Sequence, residues 1–192
     1  MEIRLFSYSF LLKFAKKFSM GNISQEILTE LYSILEKIIG ARSVNLFKRK
    51  IEEKGITDVP QIIFEIAGEM GNLFGQRGAF ATLREVGRQV AKDLMENHPR
   101  EEWEKIFEEG LNVMGFAKGV KKEESRACIC SCIFYPNFLE GRNLKPTEHP
   151  VCWIGWGFIE GFMKAFTGAL GVRFAGRDFE NSQCWFEIMR EI

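Results

Sequence analysis

Apolar residues recur at three- and four-residue intervals through the first half of the chain and alternate with polar ones in much of the second half. Over residues 22–39, Ile27, Leu28, Leu31, Ile34, Leu35 and Ile38 fall at helical spacing, and Gly40 stops the run. Asn22 or Ser24 is the expected cap. A second helix is predicted over 43–54, ending at Gly55, and Pro60 suits the first turn of a third that ends near Phe74. Gly75-Gln-Arg-Gly78 breaks the chain before a long helix over 79–97. Phe80, Leu83, Val86, Val90 and Leu94 form its apolar stripe, and Arg84, Glu85, Arg88 and Lys92 are expected to face solvent. His98-Pro99 ends it, because the residue before proline avoids helical geometry. A short helix over 101–111 follows. Upstream, Phe6, Phe10, Phe14 and Phe18 recur every fourth residue, predicting a helical face packed on the domain or a partner subunit. A membrane-surface helix is the alternative.

Beyond Gly115 the character changes. Residues 116–121 and 126–135 read as strands joined by a charged turn. Pro150 opens a nearly all-apolar helix reaching Thr167, whose only charges, Glu160 and Lys164, are expected to share an exposed strip. Gly157, Gly161 and Ala165 form a second strip that lets a neighbouring sheet or helix approach closely. Two closing strands are predicted over 172–179 and 183–189. Helices, a strand pair, a buried helix and a second strand pair argue for an α+β fold with an antiparallel sheet.

At 192 residues the chain is long enough for one sizeable core. The expected division is an N-terminal helical segment, 1–60, suited to dimerisation, and a ligand-binding domain, 61–192, in one compact unit. Lys+Arg and Asp+Glu balance at 26 each, so no global field favours nucleic acid, and direct nucleic-acid binding is not expected. No apolar run reaches the roughly 18 residues that cross a bilayer. Glu2 and Arg4 come first and Lys13 interrupts the apolar stretch, which does not suit a signal peptide, so a cytoplasmic location is expected.

Five cysteines fit reduced thiols better than a disulfide framework. Cys128, Cys130 and Cys132 alternate, which on a strand points all three to one face. Cys152 falls in the first turn of the buried helix, where the helix dipole favours thiolate. If these faces converge, Cys130, Cys132, Cys152 and Cys184 are the candidate ligands for zinc, with an iron–sulfur cluster the second choice and His149 a possible extra ligand. The competing readings are small residues packed in a core and a pair that oxidises reversibly. Trp153, Trp156, Phe158 and Phe162 are the candidates for lining an apolar ligand cavity. No Ser-His-Asp set, phosphate-binding glycine loop or His-x-x-x-His pair is present, so an enzyme is the less favoured reading.

Three stretches resemble the 4-vinyl-reductase domain family, also described as predicted hydrocarbon-binding domains. They are residues 78–91 (GAFATLREVGRQVA), 150–162 (PVCWIGWGFIEGF) and 184–188 (CWFEI). The resemblance implies helices on one side of an antiparallel four-stranded sheet, similar to the nitric-oxide-signalling and Golgi-transport ligand-binding fold. It also implies a homodimer and a small apolar or aromatic ligand. With no evident DNA-binding helix-turn-helix or ATPase segment, the output is expected to pass through a regulatory protein partner. In the family's aromatic sensors, zinc is held by cysteines and a carboxylate, and two of those positions match Cys152 and Cys184. The chain departs from the pattern where family members carry Glu-x-x-Cys: it reads Ala175-Gly-Arg-Asp178, leaving Asp178 as a stand-in carboxylate. The expected function is a sensor or carrier with an apolar pocket and a cysteine-based metal or redox site. An enzyme or accessory subunit of tetrapyrrole metabolism is the alternative.

Overall fold

The computed structural model describes residues 8–123, 125–142 and 144–190, with the side chains before Ile23 and that of Arg142 outside it. The expected phenylalanine face of residues 6–18 therefore lies outside the described side chains. Five α-helices and four strands follow in the order α1 (Tyr8–Ile39), α2 (Ala41–Glu53), α3 (Val59–Asn97), α4 (Trp103–Val113), β1 (Gly119–Lys122), β2 (Arg126–Cys130), α5 (Val151–Thr167), β3 (Gly171–Asp178) and β4 (Gln183–Met189). The helix expected to begin at residue 22 instead continues from Tyr8, so neither Asn22 nor Ser24 caps it.

α3 joins the third and fourth predicted helices across one break. Gly75 adopts φ 68°, ψ 169°, a geometry that a residue with a Cβ rarely takes. Asp58 caps the start by accepting from the Gln61 N–H at 3.3 Å, and Pro60 sits in the first turn. At the other end His98 is extended, as the following proline requires.

The sheet is antiparallel, ordered β1-β2-β4-β3, so β4 inserts between strands that α5 separates in sequence. Its register sorts the side chains. Val120, Ile129 and Cys184 share the helix-packed face with Ala127, Phe186, Phe174 and Val172. Lys121, Cys128 and Trp185 share the other face with Arg126, Glu187 and Arg173. No helix among the described residues is long and apolar enough to cross a membrane.

The crossing of α3 and α5 is set by glycine. A Cβ at Gly157 would stand 1.9 Å from the Arg84 carbonyl oxygen, and one at Gly87 would stand 2.1 Å from that of Ile154. At Gly161 the added carbon would meet the Ala91 Cβ at 2.7 Å. The small-residue strip predicted on α5 thus packs against a second helix, backbone to backbone. Gly157→Ala must drive the helices apart, and we expect a loss of about 3 kcal/mol or more in urea denaturation. Gly68→Ala, with nothing within 4 Å of the added carbon, should stay within about 1 kcal/mol of the parent, on the stabilising side. Equal stabilities for the two variants would show that the crossing tolerates separation.

Candidate functional site

The five cysteines divide into two groups, and the division begins at one residue. β2 ends at Cys130, and Ser131 takes φ 61°, a left-handed turn held by its N–H on the Ser182 carbonyl at 3.0 Å. The alternation expected through Cys132 therefore stops. Cys128 and Cys130 lie on the face away from the helices, their Sγ atoms 3.7 Å apart. Cys128 is fully buried there, and burial pushes its thiol up to about 12, with the neighbouring Cys130 adding to the effect. Cys132 is carried into the core cluster that also holds Cys184 and, at its edge, Cys152. Of the four expected ligands, the structure gathers Cys132, Cys152 and Cys184 within electrostatic range of one another and leaves Cys130 on the opposite side of the sheet.

One sulphur of this triad has a hydrogen-bond donor, and the backbone near the other two favours thiolate. The backbone at Tyr135 and Phe134, in the turn that follows Cys132, pulls its thiol down. The backbone at Thr147 acts on Cys152 in the same direction. Cys184 accepts from Nη1 of Arg177 at 3.2 Å. Arg177 lies on the same sheet face as Cys184, in register with it, and its guanidinium stacks over the Tyr135 ring at 4.5 Å. Its Nε is buried without a hydrogen-bond partner. Sequence pattern gave no sign of Arg177, because its role depends on the bulge between Phe174 and Gly176 that resets the register of β3.

Burial opposes ionisation at all three thiols and is the first cause of the upward shift in each. The helix-dipole expectation for Cys152 is thereby overturned: enclosure, reinforced by Cys132, pushes its thiol from the usual 9.0 up to about 12. Arg177 and the nearby backbone act in the other direction.

Two further candidates are engaged elsewhere. Asp178 lies on the opposite sheet face, in register with Gln183. It accepts from the backbone and side-chain N–H groups of Asn181 at 3.1 and 2.7 Å, which close the β3–β4 turn and hold its carboxyl below the usual range. His149 is buried, stacks on Phe64 at 4.6 Å and accepts the Val151 N–H at Nδ1. Among the described residues, no group of three or more His, Cys, Asp or Glu side chains is spaced to hold a metal ion. The triad suits a soft cation by donor chemistry, but its spacing in this arrangement does not.

The aromatic candidates also divide. Phe158 and Phe162 are fully buried and pack on Phe107 at 6.3 and 5.2 Å, so they belong to the core. Trp156 donates to the Val172 carbonyl at 3.0 Å and stacks on Trp153 at 4.5 Å. Trp153 continues the stack to Phe80 at 4.9 Å and reaches an open groove of about 500 Å³, also lined by Arg77, Phe80, Ala81, Arg84 and Arg88.

Arg84 and Arg88, expected on a solvated face, converge on Glu160, expected to be exposed but only 3% so. The Arg84 Nε–Glu160 contact is 2.9 Å, that from Arg88 is 3.4 Å, and Lys164 adds a third cation at 3.4 Å. Charges expected on two separate surface strips thus form one partly buried network between α3 and α5.

No protein-family model matches the chain, and no match is found among curated proteins or solved structures.

The raised Cys152 thiol makes a signed prediction. Between about pH 9 and pH 12 the unfolded chain has released this proton while the folded chain keeps it. Its contribution to stability is therefore complete below about pH 9 and is lost as pH rises toward 12. Urea midpoints in reducing buffer should fall more from about pH 8 to about pH 10 for the parent than for Cys152→Ser. The same fall in both would remove Cys152 as the source.

Proposed function

We propose that the chain is a small-molecule sensor or carrier module, with Cys132, Cys152 and Cys184 as its cysteine site and the Phe80–Trp153 groove as its ligand surface. The observation that carries the reading is the gathering of three thiols in one part of the core beside the Arg177 guanidinium, which donates to Cys184 at 3.2 Å. Such a bond stabilises sulphur that carries negative charge, as it does when bound to a metal. Zinc is the first choice of cation, because it takes thiolates and needs no redox partner. Three thiolates on zinc would leave one negative charge, and Arg177, which donates to Cys184, would be the countercharge. Holding zinc would require the three thiols to lose their protons and to draw closer than their present spacing, so affinity would rise with pH.

The likeness to 4-vinyl-reductase domains at Cys152, Cys184 and the glycine-rich α5 supports the same reading. In this proposal a homodimer or regulatory partner receives the output. The link between groove and cysteines is the Val172 carbonyl on β3, which accepts from both Trp156 and Arg84 on the groove side. The same strand carries Arg177 into the triad.

The test is elemental analysis and thiol counting on anaerobically purified protein. Near-stoichiometric zinc is expected, with Cys152→Ser and Cys184→Ser each releasing it. Metal-free protein in which Cys152 and Cys184 oxidise reversibly would replace the metal with a redox pair at the same cluster. Unchanged metal content and thiol reactivity in both variants would defeat the cysteine site altogether.

A further inference from the structure

Arg77, Arg84, Arg88 and Lys164 place four positive charges around the mouth of the α3–α5 crossing, against the carboxylates of Glu85 and Glu160. Glu160 is buried and already shared by Arg84, Arg88 and Lys164, while Glu85 is taken by Arg88. The cations are therefore in surplus. Arg77 is exposed and makes no ion pair among the described residues. Arg84 is held in place by Glu160, by the Val172 carbonyl and by the face of Trp156 at 4.4 Å. A guanidinium fixed from three directions loses little freedom when an anion approaches.

The aromatic side of the groove is equally fixed. Phe80, Trp153 and Trp156 form one continuous stack, and the Trp153 indole N–H is anchored on the Thr147 carbonyl at 2.8 Å. A hydrocarbon would use only this stack and would leave the charged rim to water. A planar molecule carrying a carboxylate would use both.

Taking the groove as the ligand surface of the proposed sensor, we infer that it binds a small aromatic carboxylate. Arg77 and Arg88 meet the charge, and Phe80 and Trp153 meet the ring. Arg88 would exchange Glu85 for the ligand, whereas Arg77 has no carboxylate to give up among the described residues, so Arg77 carries more of the discrimination.

Isothermal titration calorimetry of the full chain with 2-naphthoate and with 2-naphthylmethanol tests this, since the two share a ring system and differ in charge. The acid should bind at least about tenfold more tightly than the alcohol, and added salt should weaken the acid alone. Arg77→Ala should cost the acid about tenfold and leave the alcohol unchanged. Equal binding of acid and alcohol, or an acid indifferent to Arg77→Ala, overturns the anionic assignment. If equal binding is also lost in Trp153→Ala, the groove survives as an aromatic site. Saturable binding of neither probe overturns both the assignment and the groove, while the cysteine site stands or falls on its metal and thiol measurements.

Discussion

Two glycines set the distance between α3 and α5, and much of what is distinctive in the molecule follows from that distance. With Gly87 under the Ile154 carbonyl and Gly157 under that of Arg84, the helices touch through backbone over the middle of their crossing. Side chains flanking the contact then reach across it. Arg84 and Arg88 from α3 find Glu160 on α5, and Phe80 finds Trp153. One larger residue at either glycine would separate these partners together. The groove and the charge network are thus consequences of a packing distance as much as of their own residue types.

A buried carboxylate is tolerable at this crossing because its neighbours are already cations. Glu160 receives two guanidinium groups and an ammonium, and Arg84 spends a further N–H on the Val172 carbonyl. Removing water from a charge is costly unless partners replace it, and here the partners are more numerous than the charge requires. The surplus remains at the groove rim, where solvent still reaches Arg77 and Arg88. The Val172 carbonyl, accepting from Arg84 and Trp156 at once, ties the same network to the edge strand β3.

Elements with strong periodicity were legible from residue pattern: the helices up to His98, the apolar α5 and the closing strands β3 and β4. Gly157 and Gly161 were readable as a close-approach strip, though not which neighbour they meet. The charges on α3 and α5 were misread because helical periodicity sorts residues on one helix only. Glu160 looks like a break in an apolar helix until Arg84 and Arg88 arrive from 72 to 76 positions earlier. The cysteines failed for a local reason. Two-residue alternation holds only while the strand lasts, and a left-handed Ser131 has no signature that distinguishes it from a strand residue. Cys132 consequently lies with Cys152 and Cys184, and Cys130 does not.

Within the proposed cysteine site, burial and the neighbouring polar groups pull in opposite directions. Enclosure favours the neutral thiol, while the backbone near Cys132 and Cys152 and the Arg177 guanidinium at Cys184 favour the thiolate. A thiol is a weak acceptor, so in the protonated state Arg177 gains little from Cys184, and its Nε is unpartnered as well. A disulfide between two of the three would remove the charge problem, but it would leave the guanidinium beside a poorer acceptor than thiolate. A soft cation bound to the three sulphurs would change both sides at once. It would compensate the negative charge that burial penalises and keep Cys184 an acceptor for Arg177. In the proposed site a soft cation would therefore answer the burial penalty more directly than a disulfide, and its binding would have to draw the three sulphurs to coordination distance.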